Sequence, residues 1–427
     1  MESPLQPSRF APGLRVIVTS LTLIVVAACA IRLAFAWDYQ AHAPHRALAA
    51  IPFLFESGNI AVSLAHGHGF GSPLRLDTGP TAWTTPVYPL LLAGIMRVLG
   101  VYTFPSWVAA VLMNIAFSSL VCVPLYFAGI RIGGRTLGAT AAWLWAIFPN
   151  AILLSYQSLW ETSLAALLGA TALWATLRLA GSARLRDWMA YGFLWGIILM
   201  TNAAMLSLLP IFLGWVAWRN WKASLPVLRN AAFAAGIIVL CCVPWTLRNY
   251  LVFHSLVPLR SALGLQLWVG NNPDAKVIWL GGQHPINDNV ERSRYIEMGE
   301  IAYMTQKRRD AVDYILTHPS REAELIAGRF VMFWSGGTPH PLDDFLKNRS
   351  AWFRYTLLFN LALSLSALAG LLLLLRRHSI FLIPLAAGPF IFPLAYYLTL
   401  ALPRYRHPID PVLVLLTAAI FKSQLPS

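Results

Sequence analysis

Acids are scarce in this sequence, 18 Asp and Glu in 427 residues, so each one that interrupts an apolar run carries information. Glu56 does so in Phe53-Leu54-Phe55-Glu56-Ser57-Gly58-Asn59-Ile60. A lone carboxylate in such company suits a general base; the plainer reading is a helix cap or a solvated loop acid. Glu161 follows Trp160 where one apolar segment ends and the next begins. Either it sits at the positive end of a helix, or it faces Glu56 across a cavity as a second acid, and the residues leave both open. Three cations need a reason for their place: Arg248 at the end of an apolar run, and Arg404 and Arg406 flanking Tyr405 in Pro403-Arg404-Tyr405-Arg406-His407-Pro408. Guanidinium groups grip phosphate oxygens through forked hydrogen bonds. In an extended chain Arg404 and Arg406 point the same way and can share one anion; the plainer reading is snorkelling at a membrane surface. His66-Gly67-His68 is too sparse for a metal centre. Asp343-Asp344 follows Pro341 and reads as a solvated turn. The sequence has no phosphate-cradling glycine loop with its lysine, so neither a metal nor a nucleotide cofactor is expected.

The elements that must position these residues are membrane helices. Apolar residues make up 57% and charged residues 12%, against roughly 45–50% and about 25% in soluble domains. That excludes both a single water-soluble core and disorder. Cys29, Cys122, Cys241 and Cys242 all lie in apolar runs, which excludes a disulfide scaffold. The expected fold class is an all-α polytopic membrane protein. About ten segments approach spanning length: residues 14–37, 106–130, 137–156, 162–179, 188–200, 203–218, 231–245, 353–375, 380–400 and 408–421. Residues 86–99 are too short to cross and read as an interfacial helix. The first span reads as a retained anchor, not a removed signal peptide.

The net charge of +14 has a topological explanation. Arg131, Arg135, Arg178, Arg184, Arg186, Arg219, Lys222, Arg229, Arg376, Arg377 and Lys422 fall on alternate connections, together with Arg9 and Arg15 ahead of the first span. The positive-inside rule then puts the N-terminus in the cytoplasm. No nucleic-acid motif accompanies the charge. Three regions are expected: residues 1–247, a membrane module that includes a first outer loop at 38–105; 248–352, a second outer loop; and 353–427, the last membrane helices. Within the second loop, 290–316 reads as a helix of mixed charge. Residues 319–334 read as another, with Leu325, Ile326, Phe330, Phe333 and Trp334 at helical spacing along the membrane surface.

Several phrases occur in a telling order. Glu56-Ser57-Gly58-Asn59-Ile60-Ala61 is followed by Leu64-Ala65-His66-Gly67-His68-Gly69-Phe70, then Gly79-Pro80-Thr81-Ala82-Trp83 and Pro86-Val87-Tyr88-Pro89-Leu90-Leu91-Leu92-Ala93. Next come Arg97-Val98-Leu99-Gly100, Trp160-Glu161-Thr162, Pro244-Trp245 with Arg248-Asn249, Gly270-Asn271-Asn272, and Arg404-Tyr405-Arg406. In this order and spacing the chain resembles the GT-C glycosyltransferases, the superfamily of bacterial-type protein O-mannosyltransferases and aminoarabinose lipid A transferases.

The resemblance implies a sugar donor carried on a polyprenyl phosphate and a hydroxyl acceptor on a glycan, lipid or protein. It makes Glu56 the base that deprotonates the acceptor, with Glu161 the second acid. The family often has Asp or an Asp-Glu pair at the first position; here Phe55 precedes a single Glu. Arg248, Arg404, Tyr405 and Arg406 would hold the donor phosphate, and Asn59, His66, His68, Tyr88, Asn249, Asn271 and Asn272 would line the cavity. A single displacement implies inversion at the sugar, without a metal. The expected setting is a bacterial inner membrane with the site on the outer face. Two other classes compete. A transporter or lipid flippase of glycan precursors would show inverted repeats and midplane charges, and neither is read here. A non-catalytic assembly subunit would have no need of Glu56.

Overall fold

A computed structural model describes residues 19–41, 53, 55–279, 281–347 and 350–421. Arg9, Arg15, Lys422 and the start of the first expected span lie outside them. Among the described residues all regular structure is helical, with one isolated antiparallel bridge between Gly71 and Pro80. Five helices are long and apolar enough to cross a bilayer: Leu21–Ala41, Phe104–Gly133, Thr162–Leu179, Val227–Phe253 and Phe353–Arg376.

The other expected spans are shorter or interrupted, mostly at prolines. Residues 137–156 form Arg135–Ala146 and Pro149–Leu153, because Pro149 disfavours helical geometry in the residue before it. Residues 380–400 form Leu382–Ile391 and Leu394–Leu398, parted at Pro393. The helix Leu185–Thr201 gives way at Asn202, whose side chain caps Ala204 N–H at 3.0 Å and opens a 3-10 turn, Ala203–Leu208, before Leu209–Lys222. The last apolar segment is Asp410–Ile420. The break after Ala146 frees carbonyls that a buried cation uses. Arg32, fully buried in the first helix, donates to Ala146 O at 3.1 Å, Trp145 O at 3.3 Å and Ser118 Oγ at 2.8 Å.

Two further expectations are corrected. Val227–Phe253 runs through Pro244 and ends on His254 with φ 51°, so Arg248 lies inside the helix, not past its end. The single helix expected at 290–316 is two, Asn289–Met298 and Glu300–Thr317. They part at Gly299, whose φ of 75° costs glycine little and other residues much.

In the region expected to lie on the outer face, Glu56–Ala65 packs along the 13-residue helix Val87–Leu99, the segment expected to be interfacial. Pro319–Ser335 forms as expected, but its buried side carries Glu322 and Arg329 beside Leu325, Met332 and Phe333. Arg329 donates to Tyr397 O at 2.9 Å and Asn271 Oδ1 at 2.9 Å, so this helix is docked on protein through a charge as well as through apolar side chains. A small core of Leu74, Trp83, Ala262, Leu265, Tyr295, Tyr303 and Leu400 joins the two outer loops to the 400–405 segment.

Candidate active site

A cavity of about 110 Å³ lies where these outer elements meet, lined by Glu56, Trp83, Thr84, Trp160, Glu161, Arg260, Trp279, His284, Arg404 and Tyr405 among others. Glu56 is the first residue of Glu56–Ala65, and Glu161 immediately precedes Thr162–Leu179. Both acids therefore sit at helix N-termini, where a negative side chain is favoured. Gly58 lets the first of these helices start tightly against the incoming chain: a Cβ there would lie 1.9 Å from Phe53 O.

His284 Nε2 is 3.7 Å from Glu56 Oε1. Its Nδ1 accepts a hydrogen bond from Ile286 N–H at 3.2 Å, so the neutral ring carries its proton on Nε2, toward Glu56. Burial pushes the His284 pKa below the ordinary histidine value; Glu56 opposes that shift and Arg404 adds to it. The edges of Trp83 and Trp279 fix the ring, with centroids 5.6 and 5.4 Å away.

The Arg404 guanidinium lies 3.6 Å from the centre of the Trp160 ring, and the Phe55 ring packs on the same indole at 4.6 Å. Arg260 lines the same cavity, and among the described residues neither Arg404 nor Arg260 forms an ion pair. Two buried polar atoms on lining residues, Trp160 Nε1 and Thr84 Oγ1, have no hydrogen-bond partner among the described residues. Such groups are costly unless something completes them.

Of the residues expected from sequence, Glu56, Glu161, Arg404 and Tyr405 come together here. Arg406 does not. Pro403–Ile409 is a 3-10 helix, not an extended strand, so the two guanidiniums diverge. Arg406 is buried and donates to Asp410 Oδ1 at 2.7 Å, Trp334 O at 3.1 Å, Ser364 Oγ at 3.1 Å and Asn360 Oδ1. Arg248 is committed to the first outer loop, donating to Thr81 O at 2.7 Å and Phe70 O at 2.6 Å.

None of the expected cavity residues lines this cavity, although Asn272 lines a neighbouring one. Asn59 donates to Pro73 O at 2.8 Å, Asn249 to Val257 O at 2.9 Å, Asn271 to Leu398 O at 2.8 Å and Asn272 to Trp268 O at 2.8 Å. Tyr88 OH donates to Asn114 Oδ1 at 3.2 Å, and His66 and His68 are exposed on the turn after their helix. These buried amides bond to backbone carbonyls rather than facing the cavity. Sequence reasoning missed His284, Arg260, Trp83, Trp160 and Trp279. Arg260 carried the same signal as Arg248, a cation on the expected outer face. His284 sits in an ordinary polar loop and carried none.

No family model matches the sequence, and neither does any curated protein. Solved structures do match. The Archaeoglobus fulgidus oligosaccharyltransferase in its apo form aligns with a TM-score of 0.55 and 14% identity, over 93% of this chain and 49% of that one. The same enzyme in complex with Zn and sulfate gives 0.54 and 12%, over 93% and 48%. The archaeal oligosaccharyltransferase AglB from A. fulgidus, in complex with an inhibitory peptide and a dolichol-phosphate, gives 0.53 and 13%, over 93% and 49%. The chain shares the fold of these oligosaccharyltransferases. It spans about half the length of the oligosaccharyltransferase chains it matches. One of those structures contains zinc. In the present chain no three His, Cys, Asp or Glu side chains among the described residues gather closely enough to hold a metal ion. The donor set at the cavity does not fit a metal centre, and no step below runs through one.

Proposed function

We propose that the chain is a membrane glycosyltransferase that moves a sugar from a polyprenyl-phosphate donor to a hydroxyl acceptor on the outer face of a bacterial inner membrane. The observation that carries this reading is the sharing of one small cavity by two carboxylates and two guanidiniums, Glu56 and Glu161 with Arg404 and Arg260. The acceptor hydroxyl gives its proton to Glu56 as its oxygen attacks the anomeric carbon. The bond from that carbon to the phosphate oxygen breaks, and the leaving phosphate's charge develops beside Arg404 and Arg260. One displacement inverts the anomeric centre. Glu161 orients the acceptor, while Trp160 N–H and the Thr84 hydroxyl supply hydrogen bonds that only a bound substrate completes.

A lipid-linked donor must enter sideways from the bilayer. A second cavity of about 450 Å³, lined by Phe330, Trp334, Leu365, Leu368, Phe390 and Tyr397 among others, is almost wholly apolar and suits an isoprenoid chain. The ten-span topology with a cytoplasmic N-terminus belongs to the same proposal and brings the cavity to the outer face. The test is to incubate the full chain in lipid nanodiscs with a panel of polyprenyl-phosphate sugars and a mixture of hydroxyl acceptors (oligosaccharides, glycolipids and Ser/Thr peptides), and to follow donor loss by mass spectrometry. Wild type should consume at least one donor and Glu56→Gln should not. Loss of no donor, or equal loss by both proteins, would refute the assignment.

A further inference from the structure

The site of about 110 Å³ has room for reacting groups and little more, whereas ligand pockets typically measure about 300–1,000 Å³. Beside it lies another cavity of about 440 Å³, which shares Val269 and Trp279 with the first. One indole wall therefore separates the two. We propose that this neighbouring cavity binds a glycan, so that the acceptor hydroxyl belongs to a sugar; the inference rests on the transferase reading above.

The cavity is built rather than incidental. Trp268 Nε1–H donates to Gln283 Oε1 at 3.1 Å, and Gln283 Nε2–H donates on to Asp274 Oδ2 at 3.3 Å. Gln283 is held with φ 61°, a left-handed conformation that is unfavourable for a non-glycine residue. Its two side-chain bonds oppose that cost. Trp279 Nε1–H donates to Gly282 O at 3.2 Å and Arg321 Nη2–H to Ala275 O at 3.0 Å, so the indole and the guanidinium are fixed as well. A site ordered before binding loses less entropy when its ligand arrives.

The lining chooses the ligand class. Asp274 accepts, Lys276 and Arg321 donate, and Gln283 does both, all around one aromatic wall. Sugars present hydroxyls that donate and accept within a few ångströms, together with apolar C–H faces that pack on an indole. An acyl chain would need an apolar lining. A peptide bound by strand addition would need an unpaired strand edge, and the described residues contain no strand. Asp274 beside the two cations argues against a bare phosphate.

The test uses the full chain in nanodiscs, passed over immobilised neutral and aminosugar oligosaccharides and, in parallel, over immobilised peptides. Wild type and Glu56→Gln should both be retained on a subset of the glycans. Asp274→Asn and Lys276→Ala, both at exposed loop positions, should bind those glycans about tenfold more weakly or worse, with unchanged melting temperature. Glycan retention without consumption of any donor would sink the transferase reading and leave the subsite standing. Donor consumption without glycan retention, retention indifferent to both variants, or retention on peptides alone would overturn the subsite.

Discussion

A carboxylate works as a base only if it is held where the acceptor hydroxyl will arrive, and Glu56 has His284 at 3.7 Å for that purpose. General-base catalysis contributes about 10² to 10⁴-fold, so Glu56→Gln should lose roughly that much turnover while donor binding survives. Glu161→Gln should lose less; equal losses would make the two acids one catalytic unit. His284 is a positioning residue, and its signature is a pH profile. Burial holds its pKa below the ordinary 6.5, so the ring is neutral at pH 7. As the pH falls through that lowered value, the ring gains a proton and pairs with Glu56, and activity should fall. His284→Gln should remove that contribution to the acid limb of kcat/KM; an unshifted limb would show that His284 only packs. Two arginines separated by one residue should behave differently. Arg404→Ala should weaken donor use with little change in melting temperature. Arg406→Ala breaks a buried pair and leaves Asp410 with His407 as its remaining partner, a kind of change that typically costs about 3–5 kcal/mol when one partner is removed, and should mainly destabilise. Loss of donor affinity in a well-folded Arg406→Ala protein would return Arg406 to the phosphate site.

The helices set these side chains in place through a clamp that no single segment reveals. The Glu300 carboxylate, at the start of Glu300–Thr317, accepts from Ala82 N–H at 2.8 Å, Ser261 Oγ at 2.7 Å, Tyr295 OH at 2.8 Å and Thr81 Oγ1. Arg248 holds the same loop from the other side through Thr81 O and Phe70 O. The two grips fix Trp83 and Thr84, which line the active site. Burial and Glu300 push the Tyr295 hydroxyl's pKa upward, so it stays a donor. Glu300→Ala would leave those donors unsatisfied at about 1–3 kcal/mol for each buried group. It should lower the melting temperature, expose residues 72–80 to protease and reduce kcat/KM. Unchanged protease resistance with unchanged activity would show that the clamp is dispensable. This is also where sequence reading stops. Apolar runs and proline positions make the membrane segments legible, and Glu56 and Glu161 stand out because acids are rare among them. Asp410, four residues from Arg406, was within reach of sequence reading, but the loop carbonyls that Arg248 holds and the other partners of Arg406 were not, because they are carbonyls, an amide and a hydroxyl more than 40 residues away with no sequence signature. His284 meets Glu56 across a similar gap in the chain and was invisible for the same reason.

At the scale of the whole molecule, the mechanism requires the cavity and the lipid phosphate to share one face of the bilayer. Five helices are long and apolar enough to cross, and the proposed ten-span path adds the shorter, proline-broken segments. The path makes a sharp statement about sidedness, because each added or removed crossing moves every later loop to the other face. Ser57 and Asn271 are buried and poor positions for labelling, but His68, Lys276, Gly181 and Arg376 are exposed. Single cysteines at these four positions, in a chain whose native cysteines are replaced by Ala, should divide into two pairs. A membrane-impermeant maleimide added to intact cells should label His68→Cys and Lys276→Cys, and should reach Gly181→Cys and Arg376→Cys only after the membrane is opened. The basic connections that contain Arg178, Arg184 and Arg186 on one side, and Arg376 and Arg377 on the other, should then lie in the cytoplasm, as the positive-inside rule requires. Labelling of His68 and Lys276 on opposite faces would be the most damaging result. His68 lies in the same loop region as Glu56 and Lys276 in that of His284, and a bilayer between them would leave no shared cavity for the reaction.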